Sequence, residues 1–147
     1  MDAPSPPLPV ALQGVVDDFR RAPAALRTQL LLEYARRVPP LPEALRSVPD
    51  RLERVHECST PFFLACEVDE DGRVRLHFDA PEEAPTTRGF AGILHVGLDG
   101  ASAREVLAVP SDVADALGLA EVISPLRLRG MAAILTRLKR QVAAQGS

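Results

Sequence analysis

Apolar positions recur at helical spacing from Val10 onward. Leu12, Val15, Val16 and Phe19 fall on one side of a helix that the pattern carries to about Arg21. Pro23 suits the first turn of a second helix. In it Leu26, Leu30, Tyr34 and Val38 repeat every fourth residue until Pro39-Pro40 stops the run. A short turn of helix fits at 42–47, among further prolines. The period then changes from helical to alternating. Phe62, Leu64, Cys66 and Val68 share one face of an extended segment, and Asp69-Glu70-Asp71-Gly72 turns the chain. Val74, Leu76 and Phe78 then alternate with Arg73, Arg75 and His77. This is a β-hairpin over about 61–79 with one buried and one wetter face.

Helical spacing returns after the polar loop at 81–87. Thr86 or Thr87 is placed to cap a helix through Leu98. Its Gly89 and Gly92 each cost roughly 1 kcal/mol against alanine in a helix interior. With Ala91 they also allow close packing against another backbone. Ser102-Ala103-Arg104-Glu105 reads as a capping box. Ser111 opens a further short helix, and Gly118 suits its left-handed end. Ser124-Pro125 starts a long helix striped by Leu128, Met131, Leu135, Leu138 and Val142. Helices, hairpin, helices is an α+β order: a small antiparallel sheet packed against N- and C-terminal helices. Residues 1–9 carry four prolines and read as a disordered tail. Residues 10–145 then form a single domain, as expected for a chain of 147 residues.

Composition narrows the function. A net charge of −3 and an aromatic content of 4%, with no Trp, supply neither the phosphate contacts nor the stacking of a nucleic-acid binder. Every apolar stretch falls short of the ~18 residues that span a bilayer. MDAPSPPLP lacks the basic and apolar segments of a secretory signal, so the expected location is cytoplasmic. In a reducing compartment Cys58 and Cys66 are expected as free thiols.

Little else in the chain offers chemistry. His56, His77 and His95 make no zinc-type spacing with each other or with the cysteines. No phosphate-cradling or dinucleotide motif occurs, so no cofactor is expected. Cys66 shares the hairpin's apolar face with Leu64 and Val68, where a cysteine is usually inert filling. Cys58 lies in RVHECSTPFF, where Pro61 favours a break ahead of the strand. Two readings stand for it: a thiol that a loop presents or withdraws, or a small packed residue. Glu57 would oppose its thiolate if turned toward the sulfur, and a protonated His56 would favour it. A second oddity is Arg127, about third in the long helix, where a cation opposes the helix dipole. Either Arg127 serves an acidic partner, or its guanidinium reaches solvent or a local carboxylate.

Taken together these stretches carry a resemblance. RTQLLLEYARRVPPL at 27–41 resembles the segment in which a SufE-family helix runs into a proline-rich loop. Val55-His56-Glu57-Cys58-Ser59-Thr60 is similar to the family's Val-x-Gly-Cys-Gln-Ser. The hairpin, Arg88-Gly89, and Ser124-Pro125-Leu126-Arg127 with Gly130 follow in the same order, so the resemblance covers about residues 20–142. It implies an α+β fold related to the IscU scaffold. It also implies that Cys58 accepts a persulfide sulfur from a SufS-type cysteine desulfurase, whose pyridoxal phosphate belongs to that partner. The protein would stimulate the desulfurase and pass sulfur on to iron–sulfur scaffold proteins. Arg127 matches an arginine near the desulfurase contact. Glu57 and Ser59 replace the family's Gly and Gln, which marks a subfamily and places both residues toward the partner. The loop from Asp79 to Thr87 is longer than the family's form, and Asp79, Glu82 and Glu83 all compete for its acidic position.

The chemistry agrees with the residue inventory. Sulfur transfer is thiolate attack on a persulfide and needs one accessible thiol. A cluster scaffold would want three or more soft ligands, and this chain has two cysteines. A persulfide carrier and desulfurase activator is therefore expected, rather than an independent enzyme. The alternative is a non-catalytic adaptor or allosteric activator with Cys58 structural. A thiol redox protein is disfavoured because no resolving cysteine lies near Cys58.

Overall fold

Proline and glycine divide the chain much as the pattern expects. In the computed structural model, which describes residues 8–145, α1 spans Val10–Arg21 and α2 spans Ala24–Ala35, with Ala22-Pro23 between them. Two short helical segments and a strand of two residues lead into the hairpin: α3 (Glu43–Arg46), a 3-10 turn (Pro49–Arg51) and β1 (Glu53–Arg54). The hairpin is β2 (Phe63–Val68) and β3 (Val74–Asp79). Then come α4 (Pro85–Leu98), α5 (Ala103–Leu107), α6 (Val113–Ala116), a 3-10 turn (Leu119–Glu121) and α7 (Pro125–Gln145). The fold is α+β, with a three-stranded antiparallel sheet in the order β1-β2-β3.

The hairpin register pairs Leu64 with Phe78, Cys66 with Leu76 and Val68 with Val74. Gly72, at φ 78°, supplies the left-handed residue of the turn. Asp69 organises that turn by accepting from Asp71 N at 3.0 Å and Arg73 N at 2.9 Å. The edge of β2 beyond the short β1 is completed by side chains of α7. Gln141 accepts from Cys66 N at 2.8 Å, and Gln145 accepts from Val68 N at 3.1 Å while donating to Cys66 O at 2.7 Å. These amides replace a missing strand and leave the ladder no open template there.

α4 is the centre of the core. Its glycines let three elements approach more closely than a side chain permits. A Cβ on Gly89 would lie 2.5 Å from Leu31 O, and one on Gly92 would run into the carbonyl of Tyr34. At Gly97 it would come within 2.7 Å of Leu12 Cδ1. The helix cost of these glycines is thus offset by backbone-level packing of α1 and α2 onto α4.

Several expectations change. α2 ends at Ala35, three residues before Val38, and it buries Leu31, Tyr34 and Ala35. The expected repeat is buried only toward its end: Leu26 is 52% exposed and Leu30 half-buried, while Tyr34 and Val38 are buried. The close approach of α4 adds Leu31 and Ala35 to the buried face beside Tyr34. Val38 is buried beyond the helix end. No Thr caps α4: Pro85 occupies its first position and Thr86 and Thr87 lie in its first turn. α6 begins at Val113, later than Ser111 suggests. The Ser102–Glu105 capping box is present in both directions, and Ser124 Oγ accepts from Arg127 N at 3.3 Å at the start of α7. The expected α7 stripe is buried apart from Leu128, which is half-buried, and Ile134 joins it. Of the expected tail, residues 1–7 lie outside the described residues, and Leu8 packs against the core.

A pair of glycine substitutions tests this packing. Gly92→Ala should lower the free energy of unfolding by about 1–3 kcal/mol or more, because overpacking against a backbone carbonyl exceeds the gain in helix propensity. Gly14→Ala, on the exposed side of α1 with nothing within 4 Å of the new methyl, should raise it by about 0.5–1 kcal/mol. Urea midpoints measure both; equal shifts would mean that α4 does not depend on its small face.

Candidate functional site

Residues 55–62 form a loop between β1 and β2. Its base is closed by a hydrogen bond from Val55 N to Phe62 O at 2.8 Å. Both residues are fully buried, and the Phe62 ring lies 5.9 Å from that of Phe78. This apolar base fixes where the loop leaves the sheet. At its tip Cys58 N donates to Val55 O at 3.2 Å in a tight turn. Cys58 itself is turned inward and only 8% exposed.

The sulfur is seated on α7. A Cβ on Gly130 would lie 3.3 Å from Cys58 Sγ, so the glycine leaves the room in which the sulfur sits. The Gly130 carbonyl is 3.9 Å from Sγ, a weak contact. Burial pushes the Cys58 thiol up to about 11, Glu57 adds to the shift, and Arg137 opposes it. Cys66 is buried more deeply still. Burial pushes it up to about 12, with Glu53 and Glu67 contributing, and it faces the core from β2.

In front of Cys58 lies a cleft of about 190 Å³. Ser59 and Arg127 line it, as do Glu83, Thr86 and Thr87 from the facing loop and the start of α4. Leu126, 59% exposed, stands at its rim. The facing wall is held by Arg88, which donates to Ala80 O at 2.5 Å and to Ala35 O at 3.1 Å. The structure thus brings Cys58, Glu57, Ser59 and Arg127 around one opening. Of the three acidic candidates, Glu83 is at the cleft. Glu82 lines a different hollow with Arg36 and Arg88, and Asp79 is exposed at the end of β3. Arg127 is exposed, and no carboxylate among the described residues pairs with it.

Sequence reasoning missed Arg137. Its guanidinium bridges Glu53 Oε2 at 2.7 Å and Glu57 Oε1 at 2.8 Å. Glu53 also meets Arg140 at 2.5 Å and Gln141 at 2.8 Å. The side-chain bond from Arg137 holds the Glu57 carboxyl below its usual range. Burial works against Glu53 ionising, yet Gln141, Arg137 and Arg140 keep its carboxyl low as well. Glu57, expected to face a partner, has its charge occupied within the chain. Glu57 and Arg137 are 80 positions apart, and no local pattern signals their pairing.

The chain as a whole resembles known proteins along most of its length. A family model described as "SufE: Fe-S metabolism associated domain" matches residues 13–142. A SufE-like protein of Mycobacterium tuberculosis is 51% identical over 142 residues, 97% of each chain. The chloroplastic/mitochondrial SufE-like protein 1 of Arabidopsis thaliana is 29% identical over 136 residues, 91% of this chain but 35% of that longer relative. A hypothetical protein from Thermus thermophilus, solved in solution, superposes with a TM-score of 0.83 at 47% identity, covering 94% of this chain and 97% of its own.

The two thiols should separate in native-state alkylation. Cys58 should label with iodoacetamide well before Cys66, since opening one loop exposes the first and only parting β2 from α7 and β3 exposes the second. Peptide mass mapping over time reads both rates; equal rates would mean that the loop does not move as its own unit. Cys66→Ala should cost about 1 kcal/mol of stability, at the small end of core truncations, and leave Cys58 labelling unchanged.

Proposed function

We propose a function from one premise: the chain belongs to the SufE family, whose domain is associated with Fe–S metabolism. Cys58 is the acceptor of a sulfane sulfur delivered as a persulfide by a cysteine desulfurase. The protein stimulates that desulfurase and hands the sulfur on to iron–sulfur cluster assembly. The observation that supports this reading is the seating of Cys58 at a loop tip beside an open cleft, with Cys66 locked in the core.

The step balances without any cofactor on this chain. The Cys58 thiol loses its proton, and the thiolate attacks the outer sulfur of the partner's cysteine persulfide. A new S–S bond forms at Cys58 as the partner's S–S bond breaks. The partner's cysteine leaves as a thiolate with the bonding pair and is reprotonated. No net oxidation occurs, so neither an oxidant nor a resolving cysteine is required. The pyridoxal phosphate that generates the first persulfide belongs to the desulfurase.

The withdrawn position of Cys58 fits a carrier. With its pKa pushed up to about 11 by burial first, little thiolate forms while the loop is closed. Attack therefore follows loop opening at the partner's surface, where the thiol regains a more ordinary pKa. Closure afterwards returns the loaded sulfur to the cleft beside Gly130 and slows its loss to solvent oxidants. Leu126 and Arg127 at the rim offer the partner an apolar and a cationic contact. The chain acts as a co-substrate that each cycle regenerates.

The direct test is intact mass after incubation with a SufS-type desulfurase, free cysteine and pyridoxal phosphate. Wild type should gain one sulfur atom, and Cys58→Ser should gain none. Desulfurase stimulation that persists undiminished in Cys58→Ala would instead support a non-catalytic adaptor. Arg127→Ala should weaken binding to the desulfurase, by about 2–5 kcal/mol if the pair it makes there is fully buried. Its thermal midpoint should hold or rise, because a cation leaves the first turn of α7. Arg127→Lys should recover only part of the affinity if the contact is bidentate. Unchanged affinity with a lowered midpoint would make Arg127 an internal structural residue.

A further inference from the structure

We propose that Glu57 and Arg137 are positioning residues for Cys58: their ion pair latches the 55–62 loop shut over α7 and sets how often the sulfur is exposed. The inference rests on the sulfur-acceptor reading for its purpose, but its geometry and its test stand apart from it.

The contacts of the loop tip point to this pair. Besides the apolar packing that buries it, Cys58 Sγ has one weak polar contact among the described residues, 3.9 Å to Gly130 O. The backbone bond from Cys58 N to Val55 O lies within the loop and does not tie it to α7. Thr60 is half-buried, and Ser59 and Pro61 are exposed. The contact from Glu57 to Arg137, at 2.8 Å, is therefore the one charged link from the tip to the rest of the fold among the described residues.

The two ends of the latch differ in rigidity. Arg137 is a fixed post. It rises from α7 two turns after Gly130, and its other nitrogen is held by Glu53. Glu53 is in turn anchored by Arg140 and Gln141, and β1 fixes its backbone in the sheet. Among the described residues Glu57 has Arg137 as its only side-chain partner, and it is 49% exposed against 27% for Glu53. When the network opens, the Glu57 contact yields first, and Glu57 is chained directly to Cys58.

A partner that presents a cation to Glu57, or an acid to Arg137, would release the loop by exchanging one pairing for another. Desulfurase docking would then be coupled to thiol exposure at no net loss of ion pairs.

The test is native-state alkylation of Cys58 with neutral iodoacetamide, without desulfurase, in wild type, Glu57→Gln and Arg137→Gln. Opening the latch raises the exposed population in both variants. Labelling should accelerate by about twofold up to about fivefold, the range of a partly exposed ion pair. The paired variants also isolate the cause. If the two charges acted only on the thiol's ionisation, removing Glu57 would speed labelling and removing Arg137 would slow it. Acceleration in both, with Cys66 labelling unchanged, supports the latch. Opposite directions, no change in either, or an equal acceleration of Cys66 overturns it. Absence of sulfur loading in the mass experiment would sink the acceptor reading while leaving a positive labelling result in place.

Discussion

The approach of α2 to α4 is the constraint on which the rest of the molecule is hung. Gly89 and Gly92 bring the α4 backbone against Leu31 O and the carbonyl of Tyr34. No residue with a Cβ fits there without shifting one helix. That contact chooses the buried face of α2 and seats α1 through Gly97 and Leu12. It also fixes the start of α4. From there Pro85, Thr86 and Thr87 form one wall of the cleft, steadied by Arg88 reaching Ala35 O and Ala80 O. A packing decision at the centre of the helix layer thus places one side of the functional opening.

α7 supplies the other side and joins three tasks along one helix. Its apolar stripe of Met131, Ile134, Leu135, Leu138 and Val142 closes the core. Its amides at Gln141 and Gln145 complete the β2 edge, which a two-residue β1 leaves bare. Its remaining functional positions, Gly130 and Arg137, face the Cys58 loop, one by making room and one by holding a charge. Long, well-packed elements therefore surround a short loop, an arrangement that suits the hiding and exposure the proposed function asks of Cys58.

The thiol sits in a setting that trades reactivity for protection. Burial raises its pKa and removes it from solvent, both of which suppress chemistry in the resting state. Under the proposed carrier function the two effects agree, since that role needs exposure only where donor or acceptor is bound. The same surroundings distinguish Cys58 from Cys66. Cys58 is covered by a loop closed at its base by a single backbone bond, and Cys66 by the sheet and α7.

Periodicity in the sequence was enough to determine the α+β order, the hairpin and its turn, the capping box at Ser102 and the stripe of α7. Each depends on residues within a few positions of one another, where local sterics and hydrogen bonding decide. The small face of α4 was legible too, as a helix with more glycine than propensity allows. The resemblance in order and spacing singled out Cys58 and Arg127. What the chain alone left undetermined was the buried face of α2, because Leu26, Leu30 and Leu31 all offer apolar surface and only the partner helix selects among them. Equally hidden were the inward turn of Cys58, the choice of Glu83 among three acids, and the pairing of Glu57 with Arg137. These are contacts between residues far apart in sequence. Their energies depend on distances that exist only once α7, α4 and the sheet have been packed together.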